Sequence, residues 1–294
     1  GNSSGGYPSA IPELTYDAFL DFHKRFYHPS NSYIFLYGNA DLNQELAFIN
    51  DEYLSKFENS GFQARIAKQE PFQEIKRVKA YYPVPAEADT LDQTFLTLNV
   101  VAGEGKDRAL VMALDILKDV LVNQESAPIR MALQEAGIGK DVTAYKDDLK
   151  QNVFQIVVKN ANPDDQAKFE EIVYQTLRET VANGIDKKTL EGTLNRKEFR
   201  LRESDDANLG MTYNFRVLAG WLYADDPFLS LEFEKPLAEV KQALTSDYLE
   251  QIIDKYLLNN PHTLILTMAP KPGLGKTLND EKSNKHWRHL FPLS

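Results

Sequence analysis

The chain has 294 residues, 43% of them hydrophobic and 26% charged, a balance that supports a sizeable core in one large domain or, better, two. Its formal net charge is −10 and no cluster of lysine and arginine stands out, which argues against a nucleic-acid partner. The absence of cysteine removes disulfides, thiolate metal sites and a cysteine nucleophile together, and no apolar run approaches the ~18 residues of a membrane span.

Residues 1–12 read as a loop, punctuated by Gly1, Gly5, Gly6, Pro8 and Pro12. Thr15 then reads as an N-cap, with Asp17 near the positive end of the helix dipole. Phe19, Leu20, His23 and Phe26 recur at helical spacing, and Pro29 stops the helix by disfavouring helical geometry at His28. The aromatic run SYIFLYGN, 32–39, closed by Gly38, reads as a buried strand. Asp41 caps a second helix that runs to about Phe57. Two helices and one strand over 15–57 are less than a domain, so most of the sheet they need is expected from residues not present here. Residues 58–76, with weak periodicity and mixed charge, read as a linker.

A second unit is expected over 77–270. Strands are expected near 77–84 and 93–103, the latter with Phe95, Leu96, Leu98, Val100 and Val101. A helix over 106–123 repeats Leu110, Ala113, Leu114, Leu117 and Leu121 at intervals of three and four. A shorter helix, 127–136, carries Pro128 in its first turn and ends at Gly137. Two alternating strands follow, KDVTAYKDDL and NVFQIVVKN, then helices over 164–183, from Asp186 to about Glu203, and near 205–220, 229–242 and 247–258. The strand HTLILTMA, 262–269, closes the unit. Few strands, many helices and hairpin-like pairs predict an α+β fold: a mixed or antiparallel sheet with helices packed on one side. In the tail, 271–294, residues 271–285 are polar and rich in glycine and lysine and read as a loop or frayed helix, and HWRHLFPLS follows.

No complete catalytic constellation is present. His23 and His28 are separated by about 140° around a helix, with no acid between them, so they cannot share a metal from one regular helix. They read as a partly buried histidine and a helix-end histidine. His286 and His289 could share a face, but a terminal pair without a carboxylate reads as a solvated tail. GKT at 275–277 lacks the earlier glycine of a phosphate loop, and in AGEGKD the acidic Glu104 would repel a phosphate. Glu203, Asp205 and Asp206 read as a solvated joint between helices, capped by Ser204 or Asp205. Tyr213, Phe215, Trp221, Tyr223 and Phe228 interleave with acids and read as core and groove wall.

One resemblance goes further. The order Ser4-Gly5-Gly6, Pro8, Ile11-Pro12, Leu14-Thr15, a helix, Tyr27-His28-Pro29-Ser30-Asn31 and an aromatic run to Tyr37-Gly38-Asn39 resembles a segment of the pitrilysin/insulinase clan of metallopeptidases, in the presequence protease and falcilysin branch. SAPIRMALQEAGIG, 126–139, resembles a helix of that branch's second domain. The resemblance implies a LuxS/processing-peptidase-like second domain over 77–270, the end of the catalytic domain over 1–57, and a tail, 271–294, that begins an interdomain connection. It also implies zinc in the parent enzyme, held upstream by a His-x-x-Glu-His motif that no residue here supplies. We therefore assign no catalytic, cofactor-binding or metal-ligating residue in this chain. The implied partners are the remaining domains of the parent and unfolded peptides held in a closed chamber, with this portion as scaffold and wall. A second reading is a zinc-less structural or peptide-binding subunit of the same clan.

Overall fold

Side-chain caps start the first two helices. In the computed structural model, which describes residues 10–203 and 207–279, Thr15 accepts from the Ala18 amide at 3.2 Å at the head of α1 (Tyr16–Phe26). Asp41 accepts from the Asn43 amide at 3.0 Å ahead of α2 (Leu42–Glu52). The chain divides into two units, Gly1–Ala67 with Lys276–Ser294, and Lys68–Gly275.

In the first unit neither helix has a buried residue. Phe26 stacks on Phe22 with ring centroids 4.3 Å apart and meets the edge of Phe62 at 4.9 Å. The expected strand at 32–39 does not form. The segment runs without regular structure, and Ile34 and Leu36 stay exposed. An apolar run becomes a strand only where a ladder receives it, and the sheet of this protein is built without it.

The second unit is one five-stranded sheet with helices on one face. Its strands are β1 (Lys76–Val84), β2 (Thr94–Glu104), β3 (Asp141–Asp147), β4 (Gln151–Ala161) and β5 (Thr263–Pro272), in the order β1-β5-β2-β4-β3. Only β1 and β5 pair in parallel, so the sheet is mixed and the fold α+β. Alternation divides its faces. Leu96, Leu98, Val100 and Ala102 of β2 and Phe154, Ile156 and Val158 of β4 are buried toward the helices.

Over them lies α3 (Arg108–Lys118), capped by Asp107, with Leu110, Ala113, Leu114 and Leu117 buried. The helix then widens into a π-turn, Asp119–Asn123, closed by the Gln124 amide on the Asp119 carbonyl at 3.1 Å. The extra residue per turn buries Val120, Leu121 and Val122 together. α4 (Pro128–Glu135) follows with Pro128 in its first turn, then α5 (Gln166–Asn183) and α6 (Lys187–Arg202), the last capped by Asp186 on the Thr189 amide at 2.8 Å.

α7 (Leu209–Ala224) departs from expectation. Only Val217 and Gly220 are buried along it, while Met211, Phe215 and Leu222, like Phe228 beyond it, are exposed. Its apolar residues go all the way round, so a one-sided contact covers only part of them. α8 (Glu234–Lys241), α9 (Tyr248–Ile252) and a second π-turn, Ile253–Leu258, lead into β5.

Candidate functional site

The face of the sheet away from the helices is largely half-buried across its central strands. Register places Val78, Leu266, Thr97, Val157 and Thr143 in one row across the five strands, and Lys76, Leu264, Asn99, Gln155 and Tyr145 in the next. Between the outer strands these residues are half-buried, and Val78 and Tyr145 at the margins are exposed. The amide of Asn99 is satisfied within the face, donating to Thr97 Oγ1 at 2.7 Å and to the Leu264 carbonyl at 3.1 Å. Aliphatic side chains among short polar ones form a wall suited to apolar side chains of an extended chain. No base stands beside a nucleophile in these rows.

Where β2 ends and β5 begins, this face runs into a cleft of about 430 Å³ lined by Glu104, Gln151, Tyr256, Asn260, His262 and the segment 68–71. That segment is strapped to β4: Gln151 Oε1 accepts from the Gln69 amide at 2.7 Å, and Gln151 Nε2 donates to the Gln69 carbonyl at 3.1 Å. Lys68 donates to Glu104 at 2.5 Å, and that bond, with Lys106 nearby, holds the Glu104 carboxyl below its usual range. His262 is buried against the ring of Phe72, at 4.7 Å between centroids, and its Nε2 has no hydrogen-bond partner. Burial, then the Lys76 ammonium, push its imidazole below the ordinary histidine range, so the ring is neutral at neutral pH. A second cavity, of about 370 Å³, lies among Ser126, Thr176, Glu179, Asn183 and Asp186, where the Asp186 carboxylate is already occupied as a helix cap.

The histidines singled out by the sequence are scattered over different tasks. His23 is exposed rather than partly buried, with its ring stacked on Tyr27 at 4.7 Å. His28 stands outside α1, whose last residue is Phe26, and caps a short turn: its Nδ1 accepts from the Ser30 amide at 3.2 Å. His286 and His289, like Ser204, Asp205 and Asp206, lie outside the described residues. Gly275, Lys276 and Thr277 fall within helical residues 274–279, so GKT does not form a phosphate-cradling loop. Glu104 points its charge at Lys68 and Lys106. Among the described residues no three histidine, aspartate or glutamate side chains converge on a point that could hold a metal ion. This donor set therefore does not fit a zinc centre, which takes at least three protein ligands. Among the described residues no helix is long and apolar enough to cross a membrane.

His262 is not singled out by the sequence, because a lone histidine before a strand carries no motif. Nor is the cleft, whose lining comes from four separated stretches of chain.

Comparison with known proteins adds an independent line. The family model described as the peptidase M16 inactive domain matches residues 13–197. A protein named HypA from Clostridium perfringens is 41% identical over 286 residues, which cover 96% of this chain and 29% of that protein. Presequence protease 1, chloroplastic/mitochondrial, of Arabidopsis thaliana is 31% identical over 283 residues, covering 92% of this chain and 26% of the relative. The chain thus spans less than a third of the length of these two relatives. Among solved structures, a peptidase M16 inactive domain from Pseudomonas fluorescens superposes with a TM-score of 0.65 at 17% identity, covering 92% of this chain and 61% of that one, a likeness of fold.

Proposed function

The chain belongs to the peptidase M16 inactive-domain family, and from that premise we propose that it is the non-catalytic portion of a longer zinc-dependent endopeptidase of the presequence-protease type. In this reading the second unit is scaffold and chamber wall. Its open sheet face and the adjoining cleft contact peptides that other parts of the longer protein cleave. Zinc and its ligands belong to those other parts, and residues 1–57 complete the domain that holds them. Peptides and the remaining domains of the parent are the partners, and the apolar, exposed side chains of the first unit and of α7 are surfaces for those domains.

The observation that supports the reading is the match to the inactive domain of a peptidase family across residues 13–197. The mild excess of acidic charge favours basic peptides through long-range attraction.

The test is zinc stoichiometry by elemental analysis of the purified chain, beside cleavage of an unstructured peptide with and without chelator. The expected result is no zinc and no cleavage. About one zinc per chain with chelator-sensitive cleavage would overturn the proposal and send attention back to His23, His28 and the tail. The charge argument has its own check: the parent enzyme should turn over basic peptides faster than acidic ones at low salt, and equal rates would sink it.

A further inference from the structure

An open sheet has two edges, each a row of backbone N–H and C=O groups that a passing extended segment can pair with. In the second unit these edges are β1 and β3, and β3 is not left bare. Backbone groups of successive strand residues point to alternate sides, so every second residue of β3 faces away from β4.

At two of those outward positions backbone groups already have side-chain partners. Ala144 donates its amide to Asn123 Oδ1 at 2.7 Å, and its carbonyl accepts from Asn123 Nδ2 at 3.1 Å. One carboxamide thus makes both bonds that a neighbouring strand would make at that residue. Two residues earlier, the Val142 carbonyl accepts from an Arg130 guanidinium nitrogen at 2.9 Å.

The two side chains are themselves fixed. Asn123 Nδ2 also lies 3.3 Å from Asp119 Oδ1, and Arg130 donates through Nε to the Val122 carbonyl at 3.1 Å. Arg130 is only 15% exposed although its ion-pair partner Glu125 is at the surface. The π-turn matters here: Asn123 is its last residue, placed beside β3 by the widened turn. Further along the same strand, Lys146 keeps its ammonium on Asp148 with the side chain 7% exposed, a charge turned inward on an edge strand. β1 differs. Its residues 76–79 are exposed, and its only described neighbour in the sheet is β5.

We propose that Asn123 and Arg130 close the β3 edge, so that neither an extended peptide nor a second copy of this chain adds a strand there. The two side chains decide which surface of the domain an extended segment can use: β3 is shut, while the open face and the β1 edge remain. This holds whatever the longer protein does, because it concerns backbone groups of this unit alone.

The experiment compares the full chain with Asn123→Ala, Arg130→Ala and the double variant. Self-association is read by sedimentation velocity, and binding of a fluorescein-labelled peptide of alternating threonine and valine by anisotropy. The wild-type chain should show neither through β3. The double variant should gain reversible association or peptide binding, with an association constant raised about tenfold or more, as expected when edge bonds become available. A folded double variant, with unchanged near-ultraviolet circular dichroism, that behaves as wild type in both assays overturns the proposal. Should the double variant lose its fold, Asn123→Ser decides, since serine is too short to reach both Ala144 groups. It should gain association in the same sense, and no gain overturns the proposal. Hydrogen exchange on the wild-type chain adds a measurement that needs no variant. The Ala144 amide should exchange about tenfold or more slowly than the outward amides of β1, and equal rates would refute the closure.

Discussion

Gly137 and Gly139 form a matched pair that separates backbone strain from packing. Both hold left-handed backbone, with φ of +71° and +70°. A Cβ built on Gly137 meets nothing within 4 Å, whereas one on Gly139 would stand 2.2 Å from Val158 Cγ1 and 2.8 Å from the Lys159 carbonyl oxygen. Alanine at either site incurs the left-handed penalty, about 1 kcal/mol after the smaller entropy of the unfolded chain is counted. At 139 a second cost is added. Val158 is β-branched and stiff at χ1, and the Lys159 carbonyl is held by the Lys140 amide where the β3–β4 ladder starts, so neither moves aside cheaply. Overpacking of this kind costs about 1–3 kcal/mol. We therefore expect Gly137→Ala to cost about 1 kcal/mol and Gly139→Ala about 2–4 kcal/mol. In urea unfolding followed by far-ultraviolet circular dichroism, with m near ~2–3 kcal/mol/M, the second variant should melt about 1 M below wild type with m unchanged. Equal midpoints for the two variants would refute the reasoning, because the backbone term is common to both and only the neighbours differ.

Asp115 sits between Lys118 at 2.9 Å and Lys197. Burial opposes its charge, but the two ammonium groups outweigh burial and hold the carboxyl well below the usual carboxylate range. A depressed folded-state pKa contributes stability that is complete above about pH 4 and is lost as pH falls below it, so Asp115→Asn should cost about 3 kcal/mol at pH 7 and progressively less below about pH 4. A wild-type-to-variant difference that stays constant from neutral to acid pH would contradict this. Phe154, fully buried between β4 and the helices, should cost about 3–5 kcal/mol when cut to alanine in the same urea assay. Arg77→Ala should cost less than about 1 kcal/mol despite its two bonds to Glu170, because the arginine is half-exposed and screened by solvent. Similar losses for these two variants would mean that the sheet-to-helix core does not dominate stability.

Locally encoded features are legible along the chain itself. Thr15 and Asp41 read as caps because a short polar side chain satisfies an amide two or three residues on, within its own segment. The leucine and alanine spacing of α3 and the alternation in β2 and β4 likewise follow from one element facing one core. SYIFLYGN fails as a strand for the complementary reason. Its apolar character is plain, but a strand is a relation between two segments, and the sheet does not include this one. The aromatic residues of α7 fail similarly as core, since being apolar does not choose which side meets a core and which stays at the surface.

The candidate site divides along the same line. The sequence by itself determined the α+β class, the placement of most helices and strands of the second unit, the order of motifs that carries the family resemblance, and the absence of cysteine chemistry. Each of these depends on residues close together in the chain or on composition. Only the tertiary structure decided that Leu264, Asn99 and Gln155 share a row, that His262 is buried beside a strapped cleft, and that Asn123 and Arg130 meet the backbone of β3. Most of those contacts join residues from tens of positions to more than a hundred apart. Their geometry is set by strand register and by one extra residue in a π-turn, and side-chain spacing along the chain carries no record of either.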